Sequence, residues 1–142
     1  MRTQLTVSIT GLPAPQGSKR HVGNGRMIEA SSKVGPWREA VAQAVSARFA
    51  ETDDYTRFTD PVCIETTFYL PRGKTIKRIW PSVPPDLDKL ERGLFDALTI
   101  AGVWADDALV IRSRSEKQYA DDRMPGAFVS IVLMEECDVE SA

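Results

Sequence analysis

Leu87, Leu90, Leu94 and Leu98 recur at steps of three and four residues between Pro84-Pro85 and Gly102. This spacing makes one apolar stripe on an α-helix, whereas in a strand the same leucines would be split between two faces. The prolines hold the chain extended up to about position 86, and Gly102 supplies a C-terminal stop. The pattern therefore predicts a helix over 87–99 that must lie against something apolar. The rest of the chain supplies it. Leu5, Val7 and Ile9 alternate, as do Val62, Ile64, Thr66, Phe68 and Leu70, which predicts half-buried strands over 4–11 and 62–70. After Pro36, Trp37, Val41, Ala44, Val45 and Phe49 follow helical spacing to about position 50. Two more strands are expected over 108–119 and 127–134. The order β-α-β-α-β-β points to an α+β or α/β layer.

The segments between these elements carry most of the charge pattern. Residues 13–36 and 71–85 are rich in Pro, Gly and basic residues, lack apolar periodicity and read as long loops, which in a compact domain are usually functional or mobile. Lys19, Arg20, Arg26 and Lys33 in the first, and Arg72, Lys74, Lys77 and Arg78 in the second, set a basic side against a net charge of only −2. Acidic residues concentrate in Glu51-Thr52-Asp53-Asp54 and in Glu135, Glu136, Asp138 and Glu140. The asymmetry permits nucleic-acid binding without requiring it. Gly17, Gly23 and Gly25 would let the first loop approach a phosphate backbone closely. Trp80 is expected to pack in the core, with base stacking as the competing role.

With 142 residues the chain is one ordinary domain, expected to span 1–136 with an acidic tail without fixed structure at 137–142. Cys63 and Cys137 stand in no metal-binding spacing and are expected to be reduced, as in a cytoplasmic protein. Met1-Arg2-Thr3-Gln4 runs straight into a strand pattern with no signal-peptide character. No apolar run approaches the ~20 residues of a membrane span. His21 has no partners for a triad or a zinc site. The chain has no glycine loop of the nucleotide-binding kind, so no nucleotide cofactor is expected.

Chemistry is carried by acids. Asp86 and Asp88 open the leucine-striped helix, and Asp106-Asp107 precede the next strand. Carboxylates gathered by folding repel one another, and an oxygen-only set suits Mg²⁺ or Mn²⁺. Each also has a structural role open to it. Asp86 is placed to cap the helix, Asp88 and Glu91 to form a variant capping box, Asp88, Arg92 and Asp96 to form a solvated ion-pair ladder, and Asp106-Asp107 to make an acidic turn.

Read together, Asp86-Leu87-Asp88-Lys89-Leu90-Glu91-Arg92, Phe95-Asp96-Ala97-Leu98, Gly102-Val103-Trp104, Asp106-Asp107 and Lys117 resemble the RusA family of Holliday-junction resolvases, endonucleases common in bacteriophages and prophages. The opening Gly11-Leu12-Pro13-Ala14-Pro15-Gln16-Gly17-Ser18-Lys19-Arg20 is similar to that family's Pro-rich segment. The resemblance implies a small α+β domain with a mixed sheet of about four strands and two main helices. It implies Asp86, Asp88 and Asp107 as catalytic metal ligands, with Asp106 beside them and Arg92 at the position of a functional lysine. Lys19, Arg20, Lys74, Lys77, Arg78, Lys89 and Lys117 become candidate DNA contacts. The implied activity is Mg²⁺-dependent (Mn²⁺ substituting) resolution of four-way DNA junctions by a homodimer, through paired nicks that leave 5′-phosphate and 3′-hydroxyl ends. Lys89 and Arg92 depart from the family's Asn and Lys, and Val83-Pro84-Pro85 from its basic residues. An arginine keeps the charge but cannot donate a proton near neutral pH. The rival readings are a non-catalytic branched-DNA-binding protein and a D-x-D phosphatase, which wants its Asp at the end of an apolar strand.

Overall fold

The computed structural model describes residues 1–16, 19–21, 27–29 and 32–141, without the side chains of 19–21, 27–29 and 138–141. Strands β1 (Gln4–Thr10), β2 (Lys19–His21) and β3 (Met27–Glu29) precede helix α1 (Val34–Thr52). Strand β4 (Val62–Leu70), helix α2 (Leu87–Ile100), strands β5 (Val110–Tyr119) and β6 (Gly126–Leu133) and helix α3 (Met134–Ser141) follow.

The main sheet runs β1-β6-β4-β5. β6 is antiparallel to both β1 and β4, so β1 and β4 point the same way, and β5 lies parallel to β4. Parallel neighbours cannot be joined by a tight turn and need a crossover. Here α1 lies between β1 and β4 in the chain, and α2 between β4 and β5. Both helices share one core with the sheet, so a single sheet face is covered. That is why the strands alternate so cleanly. Leu5, Ile131 and Ile64 form one cross-strand row, Val7, Val129 and Thr66 the next, and Ile9, Ala127 and Phe68 a third, all buried. Trp37, Val41, Val45 and Phe49 of α1 and Leu90, Leu94 and Leu98 of α2 cover these rows. The sheet is therefore mixed and four-stranded, in a small α+β domain. Gly126 is required where β6 meets β1, because a Cβ there would fall 1.9 Å from the Ile9 carbonyl oxygen.

Four expectations change. The 13–36 loop contains the short β2–β3 hairpin; three-residue strands carry too little alternation to be read from sequence. The tail forms α3, starting where a strand had been expected to end. Cys63 and Cys137 form a disulfide between β4 and α3, with Cα atoms 6.4 Å apart; their sequence separation of 74 gave no hint of proximity. Trp80 is 64% exposed and packs in no core. Among the described residues no helix is long and apolar enough to cross a membrane.

Candidate active site

Asp86 occupies the N-cap of α2 with the extended backbone angles usual there (φ −70°, ψ 141°). Its side chain accepts no capping hydrogen bond. The carboxylate instead faces the Lys89 ammonium at 3.7 Å. Asp88, two residues on, meets the Arg92 guanidinium at 3.4 Å. Both acids are exposed and held only by long, solvent-facing ion pairs. Such pairs contribute little to stability and exchange easily for another cation.

β5 runs alongside α2 and fixes where these acids stand. Near its end, Lys117 Nζ donates to the carbonyl oxygens of Val83 (3.1 Å) and Pro85 (3.0 Å), across the cis Pro84–Pro85 bond. Further back along the strand, the Ser113 and Ser115 hydroxyls donate to the Glu91 carboxylate at 3.0 and 2.5 Å. Glu91 is thus a strand anchor and not part of a capping box. Asp96 pairs with Arg38 of α1 at 3.5 Å.

Asp106 and Asp107 enter the site on a rigid lead-in. Val103 and Trp104 are buried, the Trp104 indole N–H donates to Thr99 Oγ1 at 2.7 Å, and Gly102 turns the chain at φ +88°. Asp106 Oδ1 accepts from the Ala108 N–H at 2.9 Å and so caps the 3₁₀ turn Asp107–Leu109. Partial shielding from water, then the charges of Asp106 and Asp96, push the Asp107 carboxyl above its ordinary range.

Among the described residues no three of His, Cys, Asp and Glu lie close enough to hold a metal. Asp107 opens the turn that leads into β5, and along β5 Ser113 and Ser115 meet Glu91 before Lys117 reaches Pro85, so the strand runs toward the start of α2 and Asp107 stands at its other end. The acids still fit Mg²⁺ in kind. That ion keeps several waters and is usually bound by one or two carboxylates plus substrate phosphates, and Asp86 and Asp88 offer such a pair.

The candidate DNA contacts divide. Lys74 and Lys77 are exposed and Lys89 is paired with Asp86. Arg78 donates to the Tyr119 hydroxyl at 2.8 Å, and Lys117 is turned onto the main chain. The side chains of Lys19, Arg20 and His21 lie outside the described residues, as do Arg26, Gly17, Gly23 and Gly25. Sequence reasoning missed Arg72 altogether as an organiser. Its guanidinium binds Asp121 (2.7 Å), the carbonyl oxygens of Ile76 (3.2 Å) and Arg78 (2.6 Å), and stacks 4.1 Å over the Tyr119 ring. The 71–85 segment is thereby built, not loose. No sequence signal marks Arg72 among the basic residues around it.

A family model described as Endodeoxyribonuclease RusA matches residues 10–132 of this 142-residue chain. No curated protein matches it.

Proposed function

The chain belongs to the RusA family of endodeoxyribonucleases, and from that premise we propose that it resolves four-way DNA junctions as a Mg²⁺-dependent homodimer. In this reading it works in phage or prophage recombination, repair or DNA processing. The observation that carries the reading is the uncommitted pair of carboxylates at the start of α2. Asp86 stands at an N-cap without capping, and Asp88 is tied only to an exposed arginine.

Asp86 and Asp88 would hold the ion, and Asp107, with Asp106 beside it, is the further carboxylate that the family resemblance assigns to the reaction. Mg²⁺, or Mn²⁺ in its place, would supply Lewis acidity toward the scissile phosphate and a more acidic water for in-line attack. Arg92 presents its planar fork to the non-bridging oxygens and stabilises the charge that develops there. Since it stays protonated, the proton for the departing 3′ oxygen must come from elsewhere. Lys89 releases Asp86 and turns to a phosphate. Lys117 keeps the Pro85 carbonyl, and hence the Asp86 backbone, in one place, a positioning role. Breakage on the 3′-oxygen side leaves 3′-hydroxyl and 5′-phosphate ends. A four-way junction has two-fold related strands, so two copies related by a C₂ axis would nick both symmetrically.

The test is cleavage of a labelled synthetic four-way junction against a matched linear duplex, with Mg²⁺ or EDTA, by wild type and Asp88→Asn. Paired nicks on the junction alone, lost with EDTA and with Asp88→Asn, are expected. Tight junction binding without cutting under every metal tried would favour the second reading, a non-catalytic branched-DNA binder. The one observation on its side is that no three of His, Cys, Asp and Glu among the described residues are placed to hold a metal. A D-x-D phosphatase is disfavoured because Asp86 follows Val83-Pro84-Pro85 and stands at the start of a helix instead of the end of a strand.

A further inference from the structure

We infer that the cleft beside Asp86, walled by Leu12, Ile76, Val83, Pro85 and Tyr119, receives one unstacked nucleobase of the DNA substrate. The inference rests on the proposed function and deepens it, because it names what in the substrate is recognised. The cleft has a volume of about 920 Å³, within the range of small-ligand sites. Its walls come from the segments that follow β1 and β4, the prolines before α2 and the end of β5. These are mostly apolar surfaces suited to the faces of a base. No acid is among the described residues that line it, whereas Lys33 and Arg78 are, and Lys74 and Lys77 lie exposed on the same segment.

Three further observations point to an occupant that arrives with DNA. Leu12 and Val83 are 43% and 41% exposed, and between the lining residues Arg78 and Pro81 stand Ile79 and Trp80, at 74% and 64%. A cluster of large apolar side chains left to water marks a binding surface. The walls are braced in advance by Arg72 and by Lys117, so the cleft needs no rearrangement to exist. Pro85 is both a wall and the residue bonded to Asp86. A phosphate at Asp86 therefore brings the base of its own or the adjoining nucleotide to the cleft mouth. A base inside a regular duplex cannot enter without unstacking, while one at the exchange point of a branched DNA does so at lower cost. The cleft then selects branched over linear DNA.

The experiment replaces single nucleotides around the cut site of a synthetic junction with abasic residues. It measures binding in EDTA and cleavage in Mg²⁺, for wild type, Val83→Trp, which fills the cleft, and Leu12→Gln, which makes its wall polar. One abasic position within two nucleotides of the cut is expected to weaken wild-type binding about tenfold. The same abasic change should cost nothing further in either variant, whose binding to the intact junction is already reduced by that factor. If no position is sensitive, or if the abasic effect is the same in wild type and both variants, the cleft is not a base site, while cutting by wild type would leave the proposed function standing. Loss of the dimer in the variants, seen by sedimentation, would assign the cleft to a second copy and overturn the inference. A protein that neither binds nor cuts branched DNA would overturn the proposed function and the cleft together.

Discussion

At Lys117 a half-buried positive charge is turned onto the main chain. Its ammonium bridges two carbonyl oxygens on either side of the cis Pro84–Pro85 bond, so its removal should loosen Asp86. Hydrogen bonds from a charged donor contribute about 1.5–3 kcal/mol. We therefore expect Lys117→Met to lower single-turnover junction cleavage by about tenfold or more while changing affinity little. A large loss of affinity with a shallower salt dependence would mean a phosphate contact instead. Asp107 makes the opposite kind of prediction. Its folded-state pKa is raised above the ordinary 3.8, so the folded chain binds that proton more tightly than the unfolded chain. At neutral pH the ionised carboxylate thus opposes folding, and the opposition fades as pH falls toward 4. Asp107→Asn should raise the melting temperature at pH 7 and not near pH 4, and cleavage should be lost if Asp107 serves the reaction. A lower melting temperature at pH 7 would refute the electrostatic account.

At the scale of elements, the placing of α2 decides the site. Gly93 is buried on that helix, and a Cβ there would lie 2.8 Å from the Ala14 carbonyl oxygen. The segment after β1 crosses the helix at that point, pinned by the Gln16 N–H to the Lys89 carbonyl oxygen at 3.1 Å. Gly93→Ala would ordinarily favour a helix by about 1 kcal/mol, but here main chain must move, and overpacking costs about 1–3 kcal/mol. A net loss in chemical denaturation is expected, and a gain in stability would show that the crossing segment yields freely. The helix itself was legible from its leucine stripe because 3.6-residue periodicity is local. Its tether to the Pro13–Gln16 stretch was not, because a carbonyl near a glycine leaves no trace in a pattern.

For the whole molecule, a net charge of −2 is compatible with DNA binding only if the basic residues act together on one side. Lys74 and Lys77 are exposed on the braced segment beside the cleft. The double variant Lys74→Ala, Lys77→Ala should weaken junction binding and reduce the slope of log affinity against log salt by about two, one for each lost phosphate contact. An unchanged slope would remove that segment from the interface. Arg2 acts at this scale as well. It is 5% exposed, pairs with Asp54 at 3.5 Å and lies 4.8 Å over the Phe49 ring, tying the start of the chain to the turn that follows α1.

Sequence alone determined the two crossover helices, the four long strands and the acids at the head of α2, because each follows from neighbours within a few residues. It also determined the family, since the residues that carry the resemblance occur in one short run. What the acids do with their lone pairs was decided only by tertiary structure. Asp86 is spared from capping and Glu91 is drawn to β5. Asp107 opens the turn that enters β5, and Lys117, later on that strand, is bound to the main chain 32 residues before it. The sheet order β1-β6-β4-β5 brings those groups together or holds them apart, and that order is a property of long-range pairing, which no local periodicity encodes.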